Sequence, residues 1–347
     1  MTWESAGPSA NAHGWEDRFG RRVTYLRLSV TDRCNFRCLY CMPEEGVPLR
    51  PNDELLSFEE IAQVVGVLAR EGVRRIRVTG GEPLVRKELP TLIRKLARLP
   101  GVEEIVLTTN GFLLDRHAAA LREAGLSEVT VSLDTLDPAR FSHVTRRGEL
   151  GRVLEGIEAA QAAGFCPIKL NAVLIRGFND DEVLSLTEWA IERGHVLRFI
   201  EFMPIGEDTL WAQVRGGGCV PQAEILAVLG ARWRLTPQGM RPGAGPSRYW
   251  GLEGPGAPHG ARVGIISAVT ECFCDACNRL RLTPQGGLRA CLADDREVAL
   301  RALLRQGCDE ETLAQAVRRA LWGKEAAHSF TLEGGAVTRK QMVSIGG

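Results

Sequence analysis

The chain has 347 residues, enough for one large folded unit plus a smaller one, and its 44% hydrophobic and 25% charged residues suit a globular protein and exclude a mainly disordered one. Lys plus Arg equals Asp plus Glu at 43 each, so no whole-molecule field recruits nucleic acid or an anionic membrane, and an anionic ligand needs a local basic pocket. No run reaches the roughly 18 apolar residues of a membrane span, and the stretch MTWESAGPSANAHGWEDRFG lacks the apolar core of a secretory signal, so a cytoplasmic protein without nucleic-acid or membrane partners is expected.

From about residue 23 to residue 203, β-like and helix-like segments alternate, the pattern of βα units with parallel strands. Six strands are predicted, at 23–30, 75–78, 104–108, 128–133, 168–174 and 196–202. The first clear helix opens at Ser57, with Glu60 placed for a capping box and Ile61, Val64, Val65 and Leu68 on one face, and Gly72 marks its end. Asp137 followed by Pro138 forms an N-cap and first helical position, while Gly125, Gly164 and Gly194 stand where a left-handed residue closes a helix. Six units fall short of the eight in a closed barrel, leaving a partial barrel or an open doubly wound sheet. Both place function at the C-terminal ends of the strands, where TDRCNFRCLYC, TGGEP and TTNG follow the first three. After about Gly216 the composition changes, with a Gly/Pro-rich stretch over 237–260, an amphipathic segment near 309–321 and a polar tail ending in Gly346 and Gly347.

Six of the ten cysteines fall into two compact groups, while Cys166, Cys219 and Cys308 are scattered. In a reducing compartment such clusters ligate metal more readily than they form disulphides. Cys34, Cys38 and Cys41 give three thiolates within eight residues, enough for three irons of a cubane with the fourth left open. Structural zinc is the rival, but it takes four ligands. Cys274, Cys277 and Cys291 again offer three, and adding Cys272 would complete a closed four-ligand site, so a zinc ribbon stays open there. None of the six histidines has metal-like spacing, and His117 falls within an apolar helical pattern.

CxxxCxxC after the first strand, with Tyr40 before its last cysteine, resembles the radical S-adenosylmethionine (SAM) superfamily. The runs LRLSVTDRCNFRCLYCMP, RVTGGEPL, LTTNG, VSLD, RFIEFMP, FCDACNRLRL and the terminal IGG, in this order over nearly the whole chain, resemble the GTP 3′,8-cyclases of molybdenum cofactor biosynthesis. That resemblance implies an α/β fold, a partial (β/α)6 TIM-like barrel over 15–235, and a smaller C-terminal iron–sulphur domain over 236–347 carrying the second cluster and the Gly-Gly tail. It implies two [4Fe–4S] clusters, on Cys34, Cys38 and Cys41 and on Cys274, Cys277 and Cys291, which leaves Cys272 as a spare buried thiol. SAM would meet Tyr40, Gly81, Ser132 and Met203, with Gly80 and Gly81 letting the backbone approach its methionyl end.

The same resemblance places the GTP substrate on Arg27, Arg77, Thr108, Lys169, Arg198, Arg279, Leu280 and Arg281, and Arg75 stands where some relatives carry Lys. No GxxxxGK[ST] segment occurs, so GTP would be substrate and not P-loop fuel. Arg279, Arg281, Gly346 and Gly347 are the residues implied in the catalytic step, the double glycine threading into the barrel. The implied reaction removes the 3′ hydrogen of GTP, joins C3′ to C8 of the guanine and ends in the cyclised dihydro nucleotide. An electron donor and a downstream cyclic pyranopterin monophosphate synthase are the implied partners, and a homodimer is left open. Two rivals remain at this stage. One is a peptide-modifying radical SAM enzyme with an auxiliary cluster, disfavoured by Arg279, Arg281 and the glycine tail. The other is a zinc-stabilised nucleotide-binding module.

Overall fold

The computed structural model describes residues 14–206, 218–240, 243, 245–331, 338 and 340–345. The βα units run in order as β1 Tyr25–Ser29, α1 Phe58–Arg70, β2 Arg75–Thr79, α2 Leu89–Ala97, β3 Glu104–Thr109, α3 Leu114–Glu123, β4 Glu128–Ser132, α4 Pro138–Thr145 with α5 Leu150–Ala162, β5 Lys169–Leu174, α6 Val183–Glu192 and β6 Val196–Glu201. All six strands expected from the sequence are present. Capping chemistry sets the helix starts: Ser57 Oγ accepts from the Glu60 N–H at 3.1 Å while Glu60 Oε2 accepts from the Ser57 N–H at 2.7 Å. The Asp137 carboxylate likewise accepts from the Ala139 and Arg140 amides, both at 2.8 Å, at the start of α4.

Six further strands follow: β7 Arg234–Met240, β8 Arg248–Glu253, β9 Arg262–Ile266, β10 Arg279–Leu282, β11 Gly287–Arg289 and β12 Val298–Ala299. They extend the core sheet at both edges, in the order β12-β11-β10-β1-β2-β3-β4-β5-β6-β9-β8-β7. β10 pairs parallel with β1 and β9 parallel with β6, so eight adjacent strands run one way. The C-terminal third is therefore continuous with the barrel wall, and β7 runs through residues 235 and 236. These strands escaped the sequence because they are short and set among Gly- and Pro-rich stretches. β7 carries Pro237 and Gly239 around a register shift, which an exposed edge strand tolerates.

Strand alternation sorts the side chains. Leu26, Leu28, Ile76, Val78 and Leu280 enter the large hydrophobic core, while Arg27, Arg77 and Arg281 point into the barrel. At one place the helical layer comes unusually close: a Cβ on Gly156 of α5 would lie 2.2 Å from the Gly111 carbonyl oxygen, so only glycine lets α5 seat there. No helix among the described residues is long and apolar enough to cross a membrane.

Candidate functional site

Parallel pairing in register puts Arg281, Arg27 and Arg77 side by side on β10, β1 and β2, with Arg279, Tyr25 and Arg75 one layer below. Like charges on adjacent strands work against sheet stability, so a row of three arginines facing inward marks a place where the fold yields to a ligand. Burial, then repulsion from Arg77, Arg279 and Arg198 against the pull of Tyr25, holds Arg27 down to about 10. Burial followed by Arg27 and Arg279 holds Arg281 well below its ordinary value. A polyanion relieves both strains.

Buttresses fix these guanidinium groups. Arg77 donates from Nη1 to Thr108 Oγ1 at 2.9 Å and to Thr130 Oγ1 at 3.1 Å, and from Nε to the Tyr25 hydroxyl. Arg198 donates from Nε to Asn171 Oδ1 at 2.9 Å and from Nη2 to Thr130 Oγ1 at 3.2 Å. Gly264, the register partner of Arg198, leaves the space this side chain occupies, since a Cβ there would come within 2.9 Å of Arg198 Cγ. Below them, Glu128 at the start of β4 gathers Lys169, Arg75 at 3.3 Å and Arg77 at 3.5 Å. Burial alone would raise the Glu128 carboxyl, but Lys169, Arg77 and Arg75 bring it down to about 2.

Both cysteine trios line the same cavity, which contains about 2010 Å³ of space continuous with solvent. The first trio sits on the long loop after β1, whose backbone is held by the TGGEP turn: Gly81 N–H donates to the Thr31 carbonyl and Glu82 N–H to the Arg33 carbonyl, each at 2.8 Å. A Cβ on Gly81 would lie 2.4 Å from the Arg33 carbonyl oxygen, so this glycine is needed for the turn to touch the cysteine loop. Burial pushes Cys34 up to about 11, with Glu82 adding to it. Burial and then the neighbouring thiols push Cys41 up to about 12 and Cys38 well above its ordinary value. Three half-buried thiols whose ionisation is disfavoured form a soft donor set that a metal cation resolves, so the residues fit an iron–sulphur cluster. Cys41 Sγ also accepts from the Val343 N–H, and Met342 and Val343 stand in the cavity wall. The chain is thus inside the barrel mouth two residues before Ile345; Gly346 and Gly347 lie outside the described residues.

In the second trio, Cys277 Sγ faces Arg279 Nη2 at 3.5 Å and Lys324 Nζ at 3.4 Å. Burial opposes its ionisation, but these two cations bring Cys277 down to about 6, so one donor is already a thiolate near neutrality. The expectation that Cys272 is a buried spare thiol is incorrect: Cys272 is exposed, on a loop two residues before Cys274, with its Sγ 3.8 Å from His328 Nε2. Burial was inferred from residue type, whereas Glu271 and Cys272 are both exposed ahead of β10.

Tyr40, Gly81, Ser132 and Met203 line this cavity together with the first cysteine trio, and Arg27, Arg77, Thr108, Arg198, Arg279 and Arg281 line it as well. Lys169 is held behind this wall by Glu128, and the Leu280 side chain is buried in the core, so any contact it makes with a ligand runs through its backbone. Sequence reasoning passed over Tyr25, Glu128, Asp134, Asn171 and His328. Asp134 stands in the quoted run VSLD and was the most findable, since a carboxylate at a strand's C-terminal end points to a site.

Residues 28–190 match the radical SAM superfamily and residues 195–330 match the family described as Molybdenum Cofactor Synthesis C. A relative from Pelotomaculum thermopropionicum named GTP 3′,8-cyclase is 48% identical, over 96% of this chain and 100% of its own length. One of the same name from Moorella thermoacetica is 46% identical, again over 96% of this chain and 100% of its own length. Among solved structures, the Streptococcus suis protein SuiB bound to S-adenosylmethionine superposes with a TM-score of 0.55 at 13% identity, covering 86% of this chain and 68% of that one, which speaks for the fold alone.

Proposed function

The chain belongs to the GTP 3′,8-cyclases of the radical SAM superfamily, and from that premise we propose a division of its single cavity into a SAM half and a GTP half. The enzyme cyclises GTP to (8S)-3′,8-cyclo-7,8-dihydroguanosine 5′-triphosphate, an early step of molybdenum cofactor biosynthesis, using SAM and a [4Fe–4S] cluster. The observation that carries the division is the row of in-register arginines lying in one cavity with two separate cysteine trios.

Cys34, Cys38 and Cys41 hold the SAM-binding cluster, with Tyr40, Gly81, Ser132 and Met203 as the SAM contacts. When bound, these cofactors supply the carbon radical that abstracts hydrogen from the substrate. The protein's part is positioning. Arg27, Arg77, Arg198 and Arg281 neutralise the triphosphate, with the Thr108 hydroxyl as a neutral partner and Lys169 adding charge from behind the wall, and the rigid buttressing by Thr130, Asn171 and Glu128 keeps the ribose from drifting out of reach of the radical carbon. Cys274, Cys277 and Cys291 would hold a second [4Fe–4S] cluster, which would supply a Lewis-acidic site for the guanine base, and Arg279, Leu280 and Arg281 follow this trio on β10. Arg279 and Arg281, with the Gly346–Gly347 tail, serve the cyclisation step, and the approach of Met342 and Val343 to the cavity supports that placement of the tail. A cytoplasmic setting, an external electron donor and transfer of the product to a cyclic pyranopterin monophosphate synthase complete the proposal.

The test is anaerobic reconstitution, reduction and incubation with SAM and GTP. Formation of 5′-deoxyadenosine and the cyclised nucleotide, with about eight irons per chain, supports the proposal, because each cubane brings about four. Activity with only about four irons overturns the second cluster.

A further inference from the structure

We propose that Cys272, Cys274 and His328 form a site for a single zinc-class divalent ion that overlaps the cluster ligand set at Cys274. Cys272 and Cys274 are two residues apart ahead of β10, and His328 reaches them from the segment that follows the helix Glu310–Trp322. The two Sγ atoms and a ring nitrogen all lie within 4.8 Å of one another, and among the described residues no other three His, Cys, Asp or Glu donors are gathered so tightly.

The spacing points to one ion. A tetrahedral ion with Zn–S near 2.3 Å and Zn–N near 2.0 Å needs its donors roughly 3.5–3.8 Å apart. The Cys272 Sγ to His328 Nε2 separation is 3.8 Å. A cubane takes one thiolate per iron and spreads its ligands more widely, so Cys272 and Cys274 suit a common ion better than two corners of a cluster. Two thiolates and an imidazole are borderline-to-soft donors that select zinc or ferrous iron over magnesium or calcium. Cys277 is turned away to Arg279 and Lys324.

Ligation through Nε2 puts the ring proton on Nδ1 and gives up the long 3.3 Å hydrogen bond that His328 Nδ1 accepts from the Phe330 N–H. Cys272 is exposed, so it can move to close the remaining distance, and a water can take the fourth position. Because Cys274 serves both sets, the single ion and the second cluster exclude each other: zinc captured here blocks cluster loading.

Iron-free full-length protein titrated with Co2+ tests the site, since cobalt in a tetrahedral thiolate site shows charge-transfer and ligand-field bands. One Co2+ per chain is expected, retained in Cys277→Ser/Cys291→Ser protein and weakened at least about tenfold in Cys272→Ser and in His328→Gln protein. Loss of the bands in Cys277→Ser/Cys291→Ser with no effect of Cys272→Ser, or no stoichiometric binding to the wild type, overturns the proposal. The exclusion rests on the second-cluster reading and is tested apart from it. Zinc-preloaded wild type should take up about half the iron of zinc-free protein while Cys272→Ser takes up the full amount. Equal losses in both overturn the exclusion, whereas about four irons per chain in both without zinc overturns the second cluster itself.

Discussion

The Tyr40 hydroxyl donates to Asp134 Oδ2 across 2.6 Å, tying the first cysteine loop to the C-terminal end of β4. Asp134 Oδ1 accepts from the Val173 N–H at 2.8 Å, so the same carboxylate reaches β5. Three segments that border the SAM half are thus locked by one buried side chain. In Tyr40→Phe protein this carboxylate loses its phenol partner, and SAM affinity should fall about tenfold, the cost of a buried acceptor left unmatched. The first cluster should still load, because no cysteine is touched. Calorimetric titration of SAM into reconstituted protein measures it; unchanged affinity would show that the link is only a strut.

Gly81 makes a sharper claim about order of assembly. An added Cβ would sit 2.4 Å from the Arg33 carbonyl oxygen and 2.9 Å from Val343 Cγ2, and the backbone oxygen cannot move without displacing the cysteine loop. Gly81→Ala protein should therefore load iron at the second trio alone, about half the full complement. Iron and sulphide analysis with electron paramagnetic resonance would expose the error if both clusters form.

Most of the barrel was readable because its signals are local. Capping at Ser57 and Asp137, glycine stops and alternating βα composition all act within a few residues of where they appear. The strands that join the barrel from the C-terminal third were not readable, since β9 and β10 owe their place to neighbours far away in sequence. The cysteine trios, the arginines and Ser132 were found through motif runs, and the structure brings them into one cavity. Glu128 was invisible: a single glutamate opening a strand carries no signal until Arg75, Arg77 and Lys169 are seen to converge on it. Cys272 misled because burial of a lone thiol is a statistical expectation, whereas its exposure depends on the path of one loop.

Glu128 links the basic wall to acid stability. Its carboxyl is held down to about 2, below the ordinary glutamate value near 4.5. A depressed carboxyl contributes stability that is complete above the unfolded value and disappears as pH falls through the folded one. The iron-free chain should thus lose roughly 1–3 kcal/mol between about pH 5 and pH 2 from this group. Glu128→Gln protein should be weaker at neutral pH, with Lys169 and two arginines left facing one another, and flatter across that window. Urea unfolding at a series of pH values decides it, and parallel curves for the two proteins would remove Glu128 from the account.

Tyr25 reports on the charge of the arginine row. Burial would raise this phenol, but Arg77, Arg27 and Arg75 bring it down to about 8. The chain has only three tyrosines, and burial with Asp134 pushes Tyr40 well above its ordinary value, so the lowest phenolate step in an ultraviolet titration belongs to Tyr25 or to Tyr249, which Arg198 and Lys169 lower against the effect of burial. Tyr25→Phe protein separates the two. A polyanion beside the arginines cancels the field that stabilises the Tyr25 phenolate, so inorganic triphosphate should move this step upward. By linkage, triphosphate binding takes up a proton, and its affinity should weaken as pH rises through about 8 in the wild type but much less in Tyr25→Phe protein. A phenolate step indifferent to triphosphate would mean that the anion does not settle on the Arg27–Arg77 row, and the GTP half of the cavity would have to be redrawn.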